Sequence, residues 1–489
     1  MSTPATINIG LLSHTNVGKT TLARTLLRED IGEVGDRAHV TEVAERHVLI
    51  ESDQGDILVL WDTPGFGDSV RLLKRLKHAG NPLGWFLTQM WDRFTDRPFW
   101  CSQQAMQTAR DSTDVVLYVV NAGEQPASAA YVEAEMQILG WIGKPIILLL
   151  NQLGLPRDDA NSKTDVEQWR VHLASYPLVQ AVLPFDAFAR CWVQENTLLG
   201  HVQSALPSVQ VEAFERLRAA WRLRNLHVFE QSMQVLARQL ATLAVDEEAL
   251  SDAGVEQKAR SWFDSLRPGG SNTDATTESA QRALALRLDA HVQAATEQLV
   301  RLHGLSGKAT QEVLQRIGRE YAVERPADAA RASVLGGVLS GALGGLAADL
   351  AAGGLTFGAG AIIGGVLGAF GARSLAVAYN LARGSETGSV RWSNEFLSQR
   401  VAAALVRYLA VAHFGRGRGD FVAGTAPTHW QRAIAQAIEP RNYELELLWD
   451  AARGGNSQQA IEAQLLPIVS SCTQDVLREL YPDSASVFR

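Results

Sequence analysis

Residues 7–22 read Ile7-Asn8-Ile9-Gly10-Leu11-Leu12-Ser13-His14-Thr15-Asn16-Val17-Gly18-Lys19-Thr20-Thr21-Leu22. The apolar run through Ile7, Ile9, Leu11 and Leu12 has the composition of a buried strand. Ser13 to Gly18 reads as a tight loop, and Thr20 onward as the first turns of a helix. The pattern G-x-x-x-x-G-K-[ST] needs that order. Its consecutive backbone N–H groups wrap phosphates, a Lys reaches the β/γ oxygens and a Ser/Thr hydroxyl binds Mg2+. The wrap takes in Ser13, His14, Thr15, Asn16, Val17, Gly18, Lys19, Thr20 and Thr21. Ser13 replaces the first glycine, so a residue with a Cβ is expected to make the turn.

A second motif, Asp62-Thr63-Pro64-Gly65, ends the strand-like run Asp56 to Trp61. An acid at a strand tip can hold Mg2+, and the Gly65 N–H can meet a γ-phosphate oxygen because no side chain blocks the approach. Further strands are expected at Asp114 to Ala122, Lys144 to Gln152 and Gln180 to Phe188, with helical segments between them. This alternation is that of an α/β P-loop NTPase domain with a doubly wound, mostly parallel sheet, over residues 1–205. The long stretch from Phe66 to Asp114 carries Trp85, Trp91 and Trp100, which read as packing aromatics or as a partner surface.

The 489 residues allow several domains, and with 46% hydrophobic and 20% charged residues most of the chain should fold. A net charge of -8 gives no support to non-specific nucleic-acid binding. Cys101, Cys191 and Cys472 are odd in number and outside metal spacing, which fits a reducing compartment. A first strand by about Ile7 leaves no room for a signal peptide, so a cytoplasmic location is expected.

From about Ser208 the period becomes helical, so a mainly α-helical C-terminal region follows. Phe229, Met233, Leu236, Leu240 and Leu243 form one stripe, and Leu284, Leu288, Val292, Ala295, Leu299 and Leu302 another. Residues 206–330 form a helical domain interrupted by a polar linker, Arg267 to Ser279. Within 331–383 lies a Gly-rich hairpin: Ser333 to Ala372 holds 13 of the 41 glycines and one charge, Asp349. Gly337, Gly341 and Gly345 recur every fourth residue, as do Gly360, Gly364 and Gly368, a spacing that lets helix backbones approach closely. Two readings stay open, a hairpin at the inner-membrane surface and a tightly packed soluble one. Residues 384–489 are again helical, near Phe396 to Phe414 and Trp430 to Ile438.

With both motifs placed, residues 5–200 resemble the Era/TrmE-like, translation-factor-related branch of P-loop GTPases. The resemblance implies GTP and GDP as ligands and Mg2+ as cofactor, held by Thr20, Asp62 and a switch residue, Thr41. Lys19, Thr41 and Gly65 are the catalytic candidates, and Asn16 stands where K+-activated members carry the Asn that helps hold K+. Phe66 occupies the place of the water-orienting Gln of Ras-like enzymes and cannot orient water, which implies slow turnover. Where the family has Asn-Lys-x-Asp, this chain has Asn151-Gln152-Leu153-Gly154. Asn151 and Gln152 stay in the nucleotide-binding set, but Gly154 lacks the guanine-reading carboxylate, a loss of about 2–4 kcal/mol. Asp186-Ala187 sits where the backbone donor to guanine O6 is expected.

The arrangement also resembles proteobacterial proteins that join an Era-like GTPase domain to a C-terminal domain of unknown function. The leading expectation is a slow, Mg2+-dependent GTPase switch acting through a C-terminal helical domain that associates with the membrane through 333–372. A non-hydrolysing nucleotide-binding scaffold is the alternative. An RNA- or ribosome-linked GTPase is a further one, against which the acidic balance counts. A protein partner and self-association stay open.

Overall fold

The computed structural model describes residues 4–28, 43–77, 84, 96–152, 159–187, 191–249, 275–305, 375–378, 389–414 and 428–488. The chain divides into two compact units: Met1–His227 with Ala412–Val422 and Tyr481–Arg489, and Val228–Val411 with Ala423–Leu480.

The first unit is built on six strands: β1 (Thr6–Ser13), β2 (Glu45–Glu51), β3 (Ile57–Asp62), β4 (Val115–Asn121), β5 (Ile146–Asn151) and β6 (Val179–Pro184). Their order is β2-β3-β1-β4-β5-β6; β2 is antiparallel to β3 and the other pairs are parallel. Strands β3 and β5 carry unbroken Val/Ile/Leu runs, Ile57–Leu60 and Ile146–Leu150, as suits a parallel sheet with helices on both faces. All six residues of β5 are buried, as are six of the seven in β4. At the edge, β2 exposes Val48.

Among the described residues the helices are α1 (Lys19–Leu27), α2 (Ser69–Leu76), α3 (Arg97–Asp111), α4 (Ala130–Ile142), α5 (Asp159–His172), α6 (Trp192–Ala205) and α7 (Ser208–Val245). The chain fills one side of β1 with β3 and β2 and then crosses to the other side with β4. Such a reversal opens a crevice at the strands' C-terminal ends, and the phosphate-loop sequence follows β1 there. The stretch between Phe66 and Asp114 contains α2 and α3, and Phe99 of α3 is buried; Trp85 and Trp91 lie outside the described residues.

The second unit holds the last part of α7 with β7 (Glu247–Ala249), α8 (Ala275–Leu302), β8 (Leu375–Ala378), β9 (Ser389–Trp392), α9 (Asn394–Ala412), α10 (Thr428–Ile438), α11 (Asn442–Arg453) and α12 (Gln458–Leu480). The stripe Phe229, Met233, Leu236, Leu240 and Leu243 is fully buried; in the α8 stripe Val292 and Leu302 are half-buried and the rest buried. A small antiparallel sheet, β7-β9-β8, was not anticipated, because strands of three or four residues are too short to carry a period. Helix α8 also begins inside the expected linker, at Ala275.

Among the described residues no helix is long and apolar enough to cross a membrane. Ser333 to Ala372, the expected hairpin, lies outside the described residues.

Candidate functional site

Ser13 is the last residue of β1 and is buried. It does not make the turn under strain: in this loop the positive φ values are at Asn16 (64°) and Gly18 (87°). Asn tolerates the left-handed region, and Gly18 is needed there twice over, since a Cβ would also come within 2.8 Å of Asn151 Nδ2. The Ser13 hydroxyl accepts a hydrogen bond from Lys19 Nζ at 3.1 Å. A glycine there would leave the buried ammonium without that partner. Asn16 is exposed at the rim of the loop, whereas His14 and Thr15 are half-buried and Val17 and Thr21 are buried.

Helix α1 starts at Lys19, which points its first N–H groups and its positive dipole end back into the loop. Thr20 Oγ1 donates to Asp62 Oδ2 at 2.7 Å. The other carboxylate oxygen, Asp62 Oδ1, is buried with no hydrogen-bond partner. An acceptor left unmade in that way is costly in a protein interior, and next to a Thr hydroxyl it has the chemistry of a site for a hard divalent cation. Burial pushes the Lys19 ammonium below its usual range and the Asp62 carboxyl above its own, only partly offset by their mutual attraction. Both groups therefore gain from what this site could receive, an anionic phosphate at Lys19 and a cation at Asp62.

The Asp62-Thr63-Pro64-Gly65 segment is tied to the loop through its backbone. Thr15 N–H donates to the Phe66 carbonyl (3.2 Å) and Phe66 N–H to the Ser13 carbonyl (2.9 Å), a parallel bridge of His14 with Phe66. A Cβ on Gly65 would lie 2.9 Å from Thr15 Cα and 3.0 Å from Thr15 N, so only glycine fits beside the loop. Phe66 is fully buried in a core cluster with residues such as Leu12, Leu72 and Tyr118, where it can pack but cannot meet a water molecule. Gly67 N–H donates to Ser102 Oγ of α3 at 3.1 Å. An open groove of about 390 Å3 lies beside these segments, lined in part by His14, Thr15, Ser69 and Tyr131.

On the base side Asn151 is fully buried. Its Nδ2 donates to the Val17 carbonyl and its Oδ1 accepts from Ala187 N–H, both at 2.8 Å. The Ala187 N–H expected to face a guanine O6 is thus bonded within the protein, and its carbonyl accepts from Thr25 Oγ1 at 3.0 Å. Gln152 has φ 57° and Asp186 is buried. Leu153, Gly154 and Thr41 lie outside the described residues. Among the described residues no group of three or more His, Cys, Asp or Glu side chains could hold a metal ion.

One residue at this site was missed. Glu135 of α4 is fully buried and takes hydrogen bonds from His14, Ser69 and Tyr118. It shares its helix face with Val132, Met136 and Leu139, and an acid on an apolar face is a signal the sequence did offer.

Residues 172–466 match a family described as a domain of unknown function (DUF3482), more than half of the chain. The chain belongs to this family. Ahead of that domain, residues 8–152 match the family described as 50S ribosome-binding GTPase, so the DUF3482 domain here follows a GTPase-family domain. Among curated proteins none matches. Similar solved structures include a variant of Aquifex aeolicus Era bound to GDP and AlF4− (17% identity, TM-score 0.31) and Era with MgGDPNP and nucleotides 1506–1542 of 16S ribosomal RNA (16%, 0.32). Each alignment takes in 42% of this chain and 58% of the Era chain. A complex of SsGBP with GDP aligns at 16% identity over 42% of this chain and 51% of its own, with TM-score 0.27. The chain therefore spans little more than half the length of these solved proteins.

Proposed function

We propose that the chain is a Mg2+-dependent GTP-binding protein that hydrolyses GTP slowly and acts as a switch on its C-terminal helical region. The observation that carries the reading is the cluster of Lys19, Thr20 and Asp62, with a buried carboxylate oxygen left without a partner. Lys19 would hold the β/γ oxygens, while the Thr20 hydroxyl and Asp62 would hold Mg2+. Bound Mg2+ supplies neutralisation of charge on the β- and γ-phosphates. The Gly65 N–H would take a γ-phosphate oxygen, and Thr41 would close on the same side. Phe66, buried, leaves the attacking water unoriented by any side chain at that position, in keeping with slow turnover. Asn16, exposed and left-handed, supports a K+ contribution, read as faster turnover in K+ than in Na+.

Guanine is the base we assign, held in part by Asn151, with selectivity weakened because Gly154 offers no carboxylate. A GDP-over-ADP preference below about a hundredfold matches that loss of about 2–4 kcal/mol, and a larger one overturns it. A membrane surface reached through 333–372 is the proposed site of output. Deleting that segment should move the protein out of the membrane fraction, and an unchanged distribution refutes it. The central test is calorimetric titration of Mg2+–GDP into wild type and Lys19→Ala. The variant should bind at least a hundredfold more weakly; equal affinity overturns the reading.

A further inference from the structure

Glu135 lies below both halves of the site, on a helix that belongs to neither motif. Its Oε1 accepts from His14 Nδ1 of the phosphate loop at 2.8 Å and from Ser69 Oγ, the first residue of α2 after the Asp-Thr-Pro-Gly segment, at 2.5 Å. Its Oε2 accepts from Tyr118 Oη of β4 at 2.5 Å. Both Glu135 and Ser69 are buried, and the His14 ring is stacked on Tyr131, one turn before Glu135 on α4, at 4.4 Å. A buried carboxylate is tolerated only when its oxygens are satisfied, and here three elements supply the donors. The consequence is geometric. Between His14 and Ser69 runs the parallel bridge that apposes Gly65 to Thr15, so the carboxylate fixes both ends of the junction across which a γ-phosphate oxygen would be grasped.

We propose that Glu135 is a positioning residue that couples the phosphate loop to the segment after Asp62-Thr63-Pro64-Gly65, and so tunes affinity for the γ-phosphate and not for the diphosphate. The coupling stands on the hydrogen bonds alone; its effect on nucleotide choice rests on the function proposed above. A diphosphate would be held by the loop's main-chain N–H groups, Lys19 and the base side; Glu135 meets the loop only through the His14 ring and hydrogen-bonds to none of those groups. A γ-phosphate would also need the Gly65 N–H, whose place depends on the junction that Glu135 anchors.

Two measurements on the full chain test this. In nucleotide-free protein, hydrogen exchange at the Thr15 and Phe66 amides should speed up at least tenfold in Glu135→Gln and in Ser69→Ala, with β5 amides unchanged. Should Glu135→Gln lose protection throughout the sheet, Ser69→Ala decides, because it removes a single donor. In Mg2+, both variants should bind GDP within about threefold of wild type and a non-hydrolysable GTP analogue at least tenfold more weakly. Unchanged exchange at both amides overturns the coupling, and equal weakening for the two nucleotides reduces Glu135 to a packing role. A wild type that binds neither nucleotide overturns the proposed function, while the exchange result still decides the coupling.

Discussion

Replacing Asn151 by Ala removes two hydrogen bonds at once, those to the Val17 carbonyl and from the Ala187 N–H. Val17 and Ala187 are themselves buried, so both main-chain groups are left unpaired away from solvent. Each such group costs about 1–3 kcal/mol, which sets an upper bound of about 6 kcal/mol for the pair. The missing carboxamide leaves room for about one water molecule, able to repay one of the two groups. The expected cost is therefore about 1–3 kcal/mol, a factor of about 5 to 150 in local opening. Amide exchange reads it directly: Ala187 N–H should lose protection by that factor, and Mg2+–GDP affinity should fall with it because the Val17 end of the loop is released. Asn151→Asp separates the two bonds. It keeps an acceptor for Ala187 N–H but presents an oxygen to the Val17 carbonyl, so Ala187 should stay protected while GDP affinity falls. Ala187 protection within about threefold of wild type in Asn151→Ala would refute the reasoning.

Other outcomes follow from the same geometry. Asp56 is fully buried and takes Arg216 Nε at 2.7 Å and Nη2 at 3.0 Å, and that guanidinium holds its carboxyl far below the usual range. A depressed folded-state pKa contributes stability that is complete above the unfolded value of about 3.9 and is lost as pH falls towards the folded one. Asp56→Asn should accordingly be less stable at pH 7 and show a shallower loss below pH 5 in acid unfolding; an identical acid profile counts against the pair. Gly65→Ala must displace the Thr15 backbone, at about 1–3 kcal/mol and roughly 2–4 °C of melting temperature per kcal/mol, and an unchanged melt refutes the close approach. Burial pushes the Cys472 thiol up to about 11, and all three cysteines are buried. At pH 8 about one Cys472 in a thousand is a thiolate, so iodoacetamide should label it only after denaturation, and rapid stoichiometric labelling of the native chain refutes that.

The motifs were legible because their chemistry is local: a strand, five loop residues and a helix lie within sixteen residues, and the Asp-Thr-Pro-Gly segment closes β3, the strand that pairs with β1. What the loop does with Ser13 was not legible. The pattern marks a missing glycine, but the left-handed residues are Asn16 and Gly18, and the hydroxyl at 13 is turned to Lys19. The Glu135 network joins positions 66, 17 and 121 residues apart, a distance no periodicity reports, although the acid on an apolar helix face was there to be seen. In the second unit the long stripes of α7 and α8 were readable over several turns, whereas β7, β8 and β9 were not.

Among the described residues Asn151 hydrogen-bonds to main-chain atoms, a carbonyl at 17 and an amide at 187, and those atoms are the same whatever residue stands there. In a library of single substitutions, positions 17 and 187 should then accept side chains of similar bulk, while 151 accepts almost none. Invariance would concentrate on the one residue that does the reaching, leaving the two it reaches free to drift.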